Sequence, residues 1–232
     1  MSARAYTAGA LPRGSSTSRS PRGGVALPLL VAALCVAAMA LVWAVSTHVE
    51  AFRVHDAELL RRFALGGGKL TNDVARVMLH LLNPVQFTIW AVAIVLFALA
   101  RGSRRMAFAV AVVMTLAPLS ADLLKPLLAE PHVGFGRTIG PSSWPSGHAT
   151  AATALALSAV LVTPPRWRAL AVPLAAAFML GIGTALLIRV WHMPSDVLGG
   201  YLLGALWISL AVAGLRASER RWPPRRAVSS HA

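Results

Sequence analysis

Apolar runs of membrane-spanning length, repeatedly closed off by arginine, constrain this chain more than any other feature. Residues 25–46, 84–100, 106–128, 146–162, 169–190 and 194–215 each read as an apolar segment close to the roughly 20 residues that cross a bilayer as a helix. They lack the consistent polar face that a soluble bundle would need. Hydrophobic residues make up 56% of the 232 positions and charged residues 13%. The expected fold is therefore all-α: a polytopic membrane protein built as a six-transmembrane-helix bundle. The expected division is a disordered basic tail over 1–23, one bundle domain over 24–216 and a second basic tail over 217–232.

The net charge of +14 does not point to nucleic acid, because the basic residues mark the loops and tails between apolar runs. Taken on alternate sides of six spans, fourteen Lys and Arg fall on one side and eight on the other. The positive-inside rule makes the richer side cytoplasmic, with both termini inside. This is the pattern of an integral, multi-pass cell-membrane protein whose partners are membrane lipids. Residues 47–82 read as a partly amphipathic extramembrane segment. Its histidines His48, His55 and His80 have no ligand spacing, and the single Cys35 lies within the first apolar run, so neither a metal site nor any other cofactor is expected.

The chemistry concentrates where Trp144-Pro145-Ser146-Gly147-His148 leads from a glycine- and proline-rich loop into an apolar helix. Ser146 suits the N-cap. Gly147 leaves the unpaired N–H groups of the helix start open to an incoming group, where the helix dipole favours an anion. His148 follows in the first turn. Asp122 and Lys125 end the third run, and ionisable groups at such a position mark a site or pathway; at i, i+3 they also suit each other as a pair. Beyond them lie His132 and Arg137 in the loop, Arg189 closing the fifth run, and Trp191-His192-Met193-Pro194-Ser195-Asp196 opening the sixth.

Six spans with an inside N-terminus bring Lys125, Arg137, Ser146, Gly147, His148, Arg189, His192 and Asp196 to one outer face. Two helix N-termini and several cations suit a multiply charged anion, and phosphate fits best, since its oxygens can take a lysine, an arginine fork and backbone N–H groups together. Pro194 suits the first helical position, so Asp196 falls in the first turn, within reach of His192. A carboxylate on one ring nitrogen fixes the tautomer and leaves the other nitrogen free to attack, while His148 can protonate a leaving oxygen.

These residues resemble the type 2 phosphatidic acid phosphatase superfamily, with its three motifs K-x6-R-P, P-S-G-H and S-R-x5-H-x3-D. Pro145 to His148 match the second motif in full, and His192 with Asp196 match the end of the third. The resemblance implies a metal-independent membrane phosphatase acting on a lipid phosphate or diphosphate. His192 is then the nucleophile that forms a phosphohistidine, Asp196 its orienting partner and His148 the general acid. Lys125, Ser146 and Gly147 bind phosphate. In the first motif His132 and Val133 stand where Arg-Pro is usual, leaving His132 or Arg137 to supply the missing contact. In the third, Ala185 and Leu186 replace Ser-Arg, and Arg189 lies about one turn on, where its length can carry the guanidinium back to the same phosphate. Isoprenoid diphosphate, phosphatidate and phosphatidylglycerophosphate all fit as substrates. A lipid phosphotransferase, or a catalytically weakened lipid-phosphate binder of the same fold, are the other readings.

Overall fold

The computed structural model describes residues 24–128 and 144–222, and the backbone of 132–134 and 137–139. Among these residues there are eight helices: α1 (Ala26–His48), α2 (Glu50–Leu65), α3 (Lys69–His80), α4 (Pro84–Ala100), α5 (Arg104–Leu128), α6 (Gly147–Val162), α7 (Pro165–Ile188) and α8 (Pro194–Arg221). The loop between α5 and α6 contributes two short antiparallel strands, β1 (His132–Gly134) and β2 (Arg137–Ile139). The fold is otherwise all-helical, as expected.

Helices α1, α5, α7 and α8 are each long and apolar enough to cross a membrane, and α3 with α4 passes as a fifth, bent by 56° at the break between them. Prolines set several of the helix starts: Pro84, Pro165 and Pro194 each take a first-turn position, where a missing N–H costs nothing and the fixed φ already suits a helix. Helix α6, an apolar 16 residues, is shorter than a full crossing. Large apolar side chains such as Leu27, Leu34, Val85, Phe108, Leu127 and Leu174 face outward. On a soluble monomer such a surface would drive aggregation; on an integral membrane protein it faces lipid.

Helix α8 is the axis of the bundle, packed against α1, α5 and α6. Its glycines explain how closely α6 approaches. A Cβ added to Gly200 would lie 2.5 Å from the Ser146 carbonyl oxygen, and one added to Gly204 would lie 2.5 Å from Thr153 Cβ. Four-residue spacing puts both glycines on one face of α8, and α6 lies along it. Polar side chains tie the other pairs together. Trp207 Nε1 donates to Ser120 Oγ on α5 (2.9 Å), Trp43 Nε1 on α1 to the Leu128 carbonyl (2.9 Å), and the Tyr201 hydroxyl to the Met179 carbonyl on α7 (2.6 Å).

Segment 47–82, expected to be extramembrane and partly amphipathic, contributes to the buried core. Leu60 on α2 and Ala75 and Leu79 on α3 are buried together with Ile182 and Leu186 on α7. Position 186 matters for the arginine expected nearby: Leu186 is 0% exposed. At the opposite end of α6, arginines cap helix C-termini. Arg101 donates to the Val162 carbonyl (3.4 Å), and Arg105 to the carbonyls of Ser218 (3.3 Å) and Trp222 (2.9 Å). Such cations satisfy orphan carbonyls and suit the negative end of the helix dipole.

Candidate active site

The first turn of α6 forms one wall of the site. Ser146 is its N-cap, fully buried, with its hydroxyl oxygen accepting from the Ala149 N–H (3.3 Å). Trp144 packs over Gly199, where an added Cβ would meet the indole at 2.8 Å, so the approach to the motif is anchored on α8. The Ser146 N–H donates to the Asp196 carbonyl (3.0 Å), which joins the starts of α6 and α8 directly. Two helix N-termini thus meet at one place, and their positive dipole ends add.

Lys125 comes to the same place from the end of α5. A Cβ on Gly147 would lie 3.4 Å from Lys125 Nζ and 3.8 Å from Asp122 Oδ1, so the ammonium sits directly over the glycine. Lys125 Nζ donates to Asp122 Oδ1 at 2.7 Å. The pair expected from their spacing is formed, and both members border the site. His148 lies within electrostatic reach of Lys125, Asp122 and His192, so the two histidines are neighbours.

The His192 and Asp196 pair is set by the link between α7 and α8. Helix α7 closes with the Val190 N–H on the Leu187 carbonyl and the Trp191 N–H on the Leu186 carbonyl, both 3.0 Å. This is a Schellman closure, and its left-handed position is held by Val190 at φ 55°. A β-branched residue there is strained by about 1–2 kcal/mol, and strain of this kind persists only where surrounding structure fixes it. The closure sends the chain sharply back, and Trp191 meets the His148 ring edge-on at a centroid distance of 5.7 Å.

Asp196 is completely buried in the first turn of α8. Its Oδ2 accepts from the Met193 N–H (2.9 Å) and lies 3.4 Å from His192 Nδ1. The carboxylate therefore caps its own helix and faces the imidazole together. The imidazole contact is an ion-pair separation without hydrogen-bond alignment, since His192 Nδ1 and Asp196 Oδ1 have no hydrogen-bond partner among the described residues. Catalytic contacts are often this loose before substrate binds.

Lys125, Ser146, Gly147, His148, His192 and Asp196 are thus brought together. Arg189 is not seen in that group. It is the C-cap of α7, and its guanidinium donates to Asn72 Oδ1 on α3 at 3.5 Å. The side chains of His132 and Arg137 lie outside the described residues. A further residue enters the site's support that sequence reasoning did not single out. Asp56, buried on α2, accepts from the Ser195 N–H (3.2 Å) and the Ser195 hydroxyl (2.6 Å), beside Asp196. No three His, Cys, Asp or Glu side chains converge as a metal-ligand set among the described residues.

A helical bundle with lipid-facing apolar surfaces, whose paired histidines lie between two helix N-termini and a lysine, defines an integral membrane protein of the lipid-phosphatase fold. The family model of the PAP2 superfamily matches residues 106–220. The fold is similar to the crystal structure of a transmembrane PAP2 type phosphatidylglycerolphosphate phosphatase from Bacillus subtilis. The TM-score is 0.65 at 20% identity, over 86% of this chain and 98% of that one. No curated protein matches the sequence significantly.

Proposed function

We propose that this protein is a lipid phosphate or diphosphate phosphatase that works through a phosphohistidine. The observation that carries the reading is the convergence of Lys125, the Ser146–His148 helix start and the His192 and Asp196 pair. In the first step His192 Nε2 attacks phosphorus, an N–P bond forms and the P–O bond to the lipid breaks. His148 gives its proton to the departing oxygen. Asp196 keeps the proton on Nδ1 and stabilises the charged imidazole. Lys125 and the N–H groups around Ser146 and Gly147 stabilise the oxygens of the transferring phosphoryl group, whose charge is concentrated in the transition state. In the second step His148, now a base, takes a proton from water, which attacks phosphorus, breaks the N–P bond and releases phosphate.

The membrane arrangement belongs to the same reading: six spans, counting α4 and α6 with the four longer helices, both termini cytoplasmic and the cleft at the outer face. It is supported by the arginines that cap the far end of the bundle, as the positive-inside rule expects of the cytoplasmic side. Lipid tails then lie along the apolar helix surfaces while the headgroup enters the cleft.

Phosphate release by the purified protein in detergent, from isoprenoid diphosphate, phosphatidate and phosphatidylglycerophosphate, tests the function. His192→Ala is expected to abolish release and the acid-labile phosphoprotein. His148→Ala should slow release by about 10²–10⁴-fold, the usual contribution of an acid-base group. Release at the parent rate by His192→Ala would overturn the mechanism.

A further inference from the structure

Arg189, which the third motif made a candidate for the reacting phosphate, lines a cavity of about 350 Å³ between α3 and the end of α7. Among the described residues its lining includes Arg76, His80, Asn83, Arg189 and Trp191, and no carboxylate. The charges there are weakly compensated. Among the described residues Arg189 meets only a neutral amide oxygen, on Asn72 at 3.5 Å. Arg76 pairs with Asp73 at 3.3 Å, but both side chains are exposed, and such surface pairs are worth little. His80 faces the amides of Asn83 (2.7 Å) and Gln86 (3.2 Å).

Trp191 joins this cavity to the reaction site. Its indole lines the cavity, meets the His148 ring at 5.7 Å, and its backbone is bonded to His192. The family position for an arginine, 186, holds a fully buried leucine that packs with α2 and α3. The guanidinium of Arg189 instead lines the cavity beside Trp191, together with Arg76.

We propose that this cavity is a second anion subsite, which binds a second phosphate of the substrate headgroup while the first is held at Lys125 and His192. Two guanidinium groups suit such an anion by charge-assisted, forked hydrogen bonds. The substrate class is then a lipid with two phosphates in its headgroup, either joined directly or separated by a short polyol. This assignment rests on the phosphatase reading for the first phosphate only.

The test uses the full-length protein in detergent and three non-hydrolysable lipids with one tail. One carries a single phosphonate, one a methylenediphosphonate, and one a phosphodiester joined through three carbons to a terminal phosphonate. Calorimetry should show at least one two-phosphate lipid binding about tenfold or more tightly than the single phosphonate, a difference near 1.4 kcal/mol. Which of the two does so distinguishes direct from spaced phosphates. The preference should shrink in Arg76→Ala, collapse in Arg76→Ala/Arg189→Gln, and be partly kept in Arg76→Lys. No preference in the parent protein, a preference that survives the double variant, or an equal loss of affinity for all three lipids would overturn the subsite. Phosphate release from the corresponding phosphates, measured in parallel, separates the two claims. Absent turnover with the binding preference intact strikes the phosphatase reading, and turnover without the preference strikes the subsite.

Discussion

Ser195 donates both its backbone N–H (3.2 Å) and its hydroxyl (2.6 Å) to the buried carboxylate of Asp56, so α2 holds the first turn of α8 from outside. The next residue is Asp196 and the turn before it carries His192, so this double contact bears on catalytic geometry as well as stability. Asp56→Ala leaves a buried N–H and hydroxyl without their acceptor, at a cost of about 1–3 kcal/mol. It is expected to lower both the unfolding temperature and kcat. Asp56→Asn keeps one acceptor oxygen and should fall between. Unchanged kcat in a destabilised Asp56→Ala protein would limit Asp56 to a purely structural role.

Gly200 sets how closely α6 meets α8. Its missing side chain leaves room for the Ser146 carbonyl, Ala149 Cβ and Thr150 N, which a Cβ would meet at 2.5, 2.7 and 3.0 Å. The first two are closer than real contacts allow, and the nearest is backbone. Gly200→Ala should therefore push the Ser146–His148 turn away from His192, costing about 1–3 kcal/mol as overpacking and reducing turnover. Gly214 on the same helix has nothing within 4 Å of an added Cβ. Gly214→Ala should instead be neutral or stabilising by up to about 1 kcal/mol through helix propensity. Equal behaviour of the two variants in thermal unfolding and phosphate release would refute the packing argument.

Local chemistry made much of the site legible. Ser146 as N-cap, Gly147 as the open position and Asp196 one turn from His192 all follow from rules acting over a few residues, and the helix starts confirm the N-cap and the pairing. Asp56 was hidden because its partner lies 139 positions away and its own helix carries Glu50, Arg53, Glu58, Arg61 and Arg62, the look of a solvated surface. A signal did exist, in that Asp56 and Leu60 share one face at i, i+4 and both are buried. Gly200 and Gly204 likewise announced a close helix contact by spacing alone. The span count was less legible. Composition marks α4 and α6 as apolar but says nothing of the bend at which α3 joins α4.

Position 186 shows where helical spacing misleads. Residues 186 and 189 share roughly one face, so spacing alone predicts that moving the arginine back to 186 restores the family pattern in an Arg189→Leu background. Leu186 is instead enclosed by the α2, α3 and α7 core. Leu186→Arg buries an unpaired charge and is expected to destabilise the protein by several kcal/mol without rescuing activity. A well-folded Arg189→Leu/Leu186→Arg protein with activity above Arg189→Leu would contradict this.

The proposed mechanism, in which a lysine and helix N-termini stabilise the transition state, makes two demands on inhibition. Phosphate release should persist in EDTA, and vanadate should inhibit competitively as a mimic of the five-coordinate phosphorus. Activity lost to EDTA and restored by a divalent ion would show that the charge stabilisation assigned to Lys125 is incomplete.

The last prediction concerns the resting pair of Lys125 and Asp122. Asp122 holds the ammonium at 2.7 Å, yet its own side chain is 66% exposed, against 24% for Lys125. An incoming phosphate needs the same ammonium and repels the same carboxylate. Under the proposed function Asp122 therefore competes with substrate, and its exposed side chain has room to turn into solvent when displaced. An exposed pair of this kind is worth about 0.2–1 kcal/mol, so its removal corresponds to a change of about 1.5- to 5-fold. Asp122→Asn should lower KM by that factor, with kcat nearly unchanged, and the gain should fade as salt screens the charges. Lys125→Met should raise KM and lower kcat in either background, because the ammonium is then missing from ground state and transition state alike. If Asp122→Asn raises KM instead, the carboxylate serves to hold Lys125 in place over Gly147, and competition between carboxylate and phosphate is not what limits binding.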